Sequence, residues 1–182
     1  MTSNSSPSAS TLRSLCAFLC VAGLCACSAR ADIPRVEIVQ RDVEIPGAGE
    51  FGDLLRATTV SFDHPRSFQL PRAYDAELHA LGVTATPTFG VEDLSFVEGL
   101  VIRLGSRSDD GLEQVELARY DATAGDHSNE DGSLTIPTNP ELDVIEFFGS
   151  RAAYYEVSIS GELPPDMWRI DIQASFSGEL AL

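Results

Sequence analysis

The chain reads as a mainly β protein, an antiparallel β-sandwich, Ig-like or similar, with one or two short connecting helices. Three observations lead there. The last thirty residues alternate apolar and polar side chains almost without a break. At least four further runs show the same alternation, separated by Gly-, Pro- and Asp-containing turns. Period-two patterning is the signature of strands with one face in a core and the other in water. Finally, all four cysteines (Cys16, Cys20, Cys25, Cys27) precede residue 28, so the body of the chain must hold itself together by apolar burial alone.

The first 26 residues stand outside the fold. A polar Ser/Thr-rich start and a single Arg13 precede a 12-residue apolar run, Leu15 to Ala26. Such a run is too short to span a bilayer, which needs about 20 residues, and has the length of a signal-peptide apolar region. It ends in Leu24-Cys25-Ala26-Cys27, with Leu at −3, a small residue at −1 and cysteine at +1, the spacing of a lipoprotein signal peptidase site. The sequence therefore predicts a lipoprotein-type signal peptide over 1–26, lipidation at Cys27, a lipidated tether over 27–34 and one β-sandwich domain over 35–182. Cys25 at −2 departs from the usual small or β-branched residue there. A rival site, Ala29-Arg30-Ala31, would instead release a soluble secreted protein beginning at Asp32. Ser28 in the second mature position, where Asp would favour inner-membrane retention, points to the outer membrane.

Removing 1–26 leaves 11 basic and 28 acidic residues, a net charge of 11 − 28 = −17, with no lysine at all. That balance excludes nucleic acid, whose phosphates need clustered cations. It also excludes docking of the domain on an anionic membrane, so membrane contact rests on the lipid at Cys27. It suits a soluble surface, or affinity for cations or for a basic partner.

Along the domain, Arg35 to Ile45 begins with Val36 and Ile38 on one face and changes phase to Val39, Val43 and Ile45, as a bulged first strand would. Arg56 to Phe62 is a strand with Thr58, Val60 and Phe62 inward. Pro71 to Leu81 places Tyr74, Leu78 and Leu81 at helical spacing before Gly82 and predicts a short helix, with His79 near its end. Leu94 to Leu104 is a strand interrupted by Glu98-Gly99, a bulge that turns the carboxylate outward. Leu112 to Tyr120 is another, with Val115 and Leu117 inward. Asn139-Pro140-Glu141 supplies an N-cap, a proline at N1 and a first-turn acid for a second helix closing at Gly149. Ala153 to Leu163 and Trp168 to Leu180 are the clearest strands. The short Pro164-Pro165-Asp166 link predicts that they form a hairpin.

Little in the domain points to catalysis. His64, His79 and His127 lack metal-ligand spacing, and both His64 and His79 read as surface residues. Nucleophile elbows and phosphate-cradling glycine patterns are absent from the sequence. The strongest ligand candidate is the acidic loop from Asp121 to Gly132, in which Asp121, Asp126, Asn129 and Asp131 could hold calcium through oxygen ligands. The EF-hand register fails there, because His127 and Thr138 fall where acids are required. No other cofactor is expected. The sequence thus predicts an envelope-anchored lipoprotein whose sandwich is a non-catalytic binding or structural module, with envelope proteins or a surface ligand as partners. The alternatives are an exported hydrolase using carboxylates in an end-loop cleft, or a secreted calcium-dependent binding domain.

Overall fold

The computed structural model describes residues 30–49, 56–64, 75–109, 111–125, 131–150 and 152–181. Among the described residues, eight strands, β1 (Arg30–Ile45), β2 (Ala57–Asp63), β3 (Asp75–Phe89), β4 (Val97–Ser106), β5 (Val115–Asp121), β6 (Leu134–Ile136), β7 (Ala153–Gly161) and β8 (Trp168–Ala181), are accompanied by one helix, α1 (Ile145–Gly149). They form two four-stranded antiparallel sheets, β1-β8-β3-β6 and β2-β7-β4-β5. Facing inward, the two sheets enclose one apolar core, which makes the domain a β-sandwich.

The expected alternation holds where it was strictest. In β7 the residues Ala153, Tyr155, Val157 and Ile159 are buried, and in β8 so are Trp168, Ile170, Ile172, Ala174 and Phe176. The expected hairpin between them is not formed. β7 pairs with β2 and β4, whereas β8 pairs with β1 and β3 in the other sheet. Alternation tells which face of a strand is buried and says nothing about its neighbours. The Pro-Pro link crosses between sheets, and its carbonyls at Pro164 and Pro165 accept hydrogen bonds from the Ala48 and Gly49 amides of the β1–β2 connection. Six of the seven connections change sheet in this way. Only β4–β5 is a hairpin.

The helix expected over Pro71–Leu81 is also corrected. Residues 71–74 lie outside those described, but 75–89 is strand β3, with Leu78, Ala80, Val83 and Ala85 buried. The β3–β8 register slips between Ala80 and Gly82, leaving Leu81 as an extra residue, 53% exposed. A bulge shifts period-two burial by one residue, so the apolar spacing imitates a helical face. The Val83–Thr88 segment, rich in β-branched residues, favours the extended form.

Elsewhere the predicted irregularities appear where the pattern broke. β4 shifts register against β7 between Val97 and Gly99, and Glu98 is exposed. β1 shifts against β8 between Gln40 and Val43, where Asp42 adopts φ 51° and its amide donates to the Asp171 carboxylate. Val39, expected inward, is 40% exposed because the phase change comes after it. β1 also starts at Arg30, with Ile33 in the core, so residues assigned to a tether belong to the sheet. Helix α1 is shorter than expected. Asn139 caps only a turn to the Glu141 amide, and Asp143 Oδ1 accepts from the Ile145 amide and from Leu78 N in β3. That bond to β3 holds the segment before Ile145 against the sheet, while Phe147 and Phe148 fill the core.

At Gly178 the β3 and β8 backbones come so close that a Cβ would overlap the Glu77 carbonyl, whereas a Cβ at Gly82 meets nothing within 4 Å. Gly178→Ala is expected to cost about 1–3 kcal/mol as overpacking, and Gly82→Ala about 0.5 kcal/mol or less. Denaturant unfolding of the two variants checks the difference.

Candidate functional site

The antiparallel register assembles one polar groove from residues distant in sequence. Asp32, Glu179 and Glu77 lie directly across from one another on β1, β8 and β3, and His79 lies opposite Ser177. With Arg30 they line a surface groove of about 480 Å³ at the end of the sandwich where β1 begins and β8 ends. Like charges directly opposite on neighbouring strands repel. Here Arg30 Nη1 lies 3.1 Å from Glu179 Oε2, and His79 Nε2 lies 3.7 Å from Glu77 Oε2. The His79 Nδ1 sits 3.1 Å from the Leu142 carbonyl oxygen.

This geometry bears on chemistry. A histidine acting as base for a serine needs one ring nitrogen free to face the hydroxyl. Both nitrogens of His79 are turned elsewhere, to Leu142 and to Glu77. The groove offers acceptors and charge for binding a polar or cationic group. His79, expected at a helix end, sits half-buried in mid-strand. Sequence reading missed this groove because its members meet only through the β1-β8-β3 register.

The opposite end of the sandwich collects the β1–β2, β3–β4, β5–β6 and β7–β8 connections. Around it stand the exposed carboxylates of Glu44, Glu92, Asp93, Glu98, Asp121 and Asp131, joined by Glu162 and Asp166. Arg56 and Arg169 stand against them there. Phe89, 56% exposed, carries the Arg169 guanidinium 5.6 Å from its ring centroid, and Met167 beside Gly90 is 37% exposed.

Three of these acids share one local device. Asp93, Asp121 and Asp131 each accept from both the amide and the hydroxyl of the residue two positions on, Ser95, Thr123 and Ser133. The side-chain hydrogen bond is the main reason each carboxyl is held below its ordinary range. Of the four residues expected to hold calcium, Asp121 and Asp131 are thus engaged in separate turns, and Asp126 and Asn129 lie outside the described residues, as does Cys27. Among the described residues no three Asp, Glu, His or Cys side chains converge on a point that could hold a metal ion.

The other histidine is a correction. His64 is buried, 9% exposed, with Nδ1 3.2 Å from the Tyr155 hydroxyl and its ring edge-on to Phe148 at 4.9 Å. Its amide donates to the Ala153 carbonyl, which carries the chain past the end of β2 and folds the side chain inward. His-Pro suggested an exposed turn. The tertiary pairing with β7 decided otherwise.

No protein-family model, curated protein or solved structure matches the chain.

The three depressed aspartates stabilise the fold above the ordinary aspartate pKa, and that contribution is lost as pH falls through their lower folded values. Thermal melts between about pH 7 and pH 2.5 are expected to show a drop below about pH 4. The Asp93→Asn/Asp121→Asn/Asp131→Asn variant, which keeps turn-forming amides, should show that drop reduced.

Proposed function

We propose that the chain is an envelope-anchored lipoprotein whose β-sandwich serves as a non-catalytic binding or structural module, lipidated at Cys27. The observation that carries this reading is the sequence Leu24-Cys25-Ala26-Cys27 closing the apolar run, with no cysteine after it. The start of β1 adds support. Arg30 is the first strand residue, three positions after Cys27, and pairs with Ala181. Cleavage before Cys27 leaves β1 whole. Cleavage after Ala31 would strip from β1 the Arg30 guanidinium that meets Glu179 and the Ala31 pairing with Leu180.

A lipid at Cys27 would hold the groove end of the sandwich near the membrane. Sixteen residues of β1 at about 3.3 Å each would then set the acidic, Phe89-bearing end about 50 Å farther out. That end suits a basic protein or surface ligand, since its carboxylates are exposed and three are held ionised by their turns. Binding also suits its construction, loops mounted on a rigid two-sheet core.

The test is the mass of the mature N-terminal peptide isolated from the native host, with Cys27→Ser alongside. The expected result is a diacylglyceryl-modified Cys27 and loss of the variant from the membrane fraction. An unmodified peptide beginning at Asp32 would overturn the reading.

A further inference from the structure

An apolar slit runs between the two sheets, from Ile38 and Gln40 of β1 and Phe62 of β2 at the edge strands, past Tyr155 of β7 and Ile172 of β8, to Val83, Ile102 and Leu117 deeper in the core. In the state described it is nearly closed, with a void of about 10 Å³, room for no more than one water. Phe62 stacks on Tyr155 at 5.5 Å between centroids, and Tyr155 is in turn held by His64.

His64 thus sits behind the wall of the slit. It closes the end of β2, an edge strand bonded only to β7. Its Nε2 is buried and has no hydrogen-bond partner, while Nδ1 meets the Tyr155 hydroxyl. Phe148 of α1 meets the imidazole in a T-shaped contact and meets Phe176 of β8 at 5.0 Å. The charged groups nearest in chain do not serve the imidazole. The Asp63 carboxylate points out to Arg107, and Glu146 of α1 is exposed. The Tyr155 phenol, raised by burial, stays protonated. Among the described residues, none offers a second acceptor or a countercharge to His64.

We propose that His64 is an acid-operated latch: its neutral ring closes the end of β2 over the apolar slit, and protonation frees β2 and opens the slit. The neutral ring tolerates one unpartnered nitrogen. An imidazolium has two N–H donors, and only Tyr155 can accept, so the second is left buried beside Phe148. Leaving the core relieves it. β2 is the element that yields, because among the described residues its outer edge has no strand partner and Phe62 is only half-buried. Burial also holds His64 below its ordinary value of 6.5. The folded state is therefore fully favoured above the unfolded pKa, and this contribution falls away as pH drops through the lower folded value. That window opens at a higher pH than the one set by Asp93, Asp121 and Asp131, because it starts from the histidine value of 6.5 and not from the aspartate value of 3.8. The latch does not depend on how the chain is anchored.

The test is hydrogen exchange with mass-spectrometric readout on the full chain as its host processes it, at about pH 7.5 and about pH 4.5. Fluorescence of an anilinonaphthalene sulfonate dye is followed in parallel. In the native protein, protection of residues 57–64 and 153–157 is expected to fall by about tenfold on acidification, with a rise in dye fluorescence. His64→Phe, which keeps a ring against Phe148 and cannot titrate, should hold protection within about twofold and show no dye step. Equal acid losses in both proteins would overturn the latch. Should the variant fail to fold, the His64 imidazole resonance in the native chain decides. A midpoint below 6.5 that coincides with the dye step supports the proposal. A midpoint at or above 6.5, or one that moves without the dye, overturns it.

Discussion

Strand β8 is the constraint on which the rest of the domain depends. Its inner face, from Trp168 through Ile170, Ile172 and Ala174 to Phe176, is wholly buried, and its two edges carry β1 and β3. β7 plays the same part in the other sheet, between β2 and β4. Each sheet is therefore organised around a strand from the last thirty residues. Aromatic contacts tie these central strands to what surrounds them. Trp168 meets Phe96, Phe176 meets Phe148, and Tyr155 meets Phe62 and His64. Burial on this scale does the stabilising. The ion pairs, such as Arg103–Glu156 and Arg107–Asp63, lie at least partly in solvent and contribute little each.

Because the sheets exchange strands at nearly every connection, the two ends of the sandwich acquire different characters. One gathers the start of β1 and the end of β8 around the Asp32–Glu179–Glu77 row. The other gathers four crossovers and a surplus of carboxylates. Arginine is the only permanent side-chain cation in this chain, and six of the eight arginines among the described residues are paired with carboxylates, such as Arg30 with Glu179, Arg119 with Glu116 and Arg169 with Glu44. The exposed carboxylates gather at the loops of that end.

The sequence disclosed faces better than neighbours. Alternation in 153–163 and 168–180 identified the buried side chains because side-chain period depends only on the local backbone. It could not identify partners, since a hairpin and a sheet-crossing link impose the same alternation. The phase break at Glu98-Gly99 was legible as a bulge for the same local reason, and the one in the first strand was legible too, although it was read at Val39 and falls after Gln40. The break at Leu81 was misleading, because one extra residue in β3 turned strand spacing into apparent helical spacing. His64 and the groove were not legible at all. Their positions follow from pairings between residues more than ninety apart, such as His64 with Tyr155 and His79 with Ser177.

The placement of β8 between β1 and β3 also sets the order in which the chain can become a protein. β1 and β3 do not pair with each other, so β1 cannot join the sheet, and β3 has only the three-residue β6 beside it, until the final fourteen-residue strand exists. β2 likewise waits for β7. Contacts this distant in sequence form late and slowly, and a nascent chain lacking its last thirty residues has edges but no middle. Such a chain can close the β4–β5 hairpin and the short β3–β6 pairing, but it can complete neither sheet.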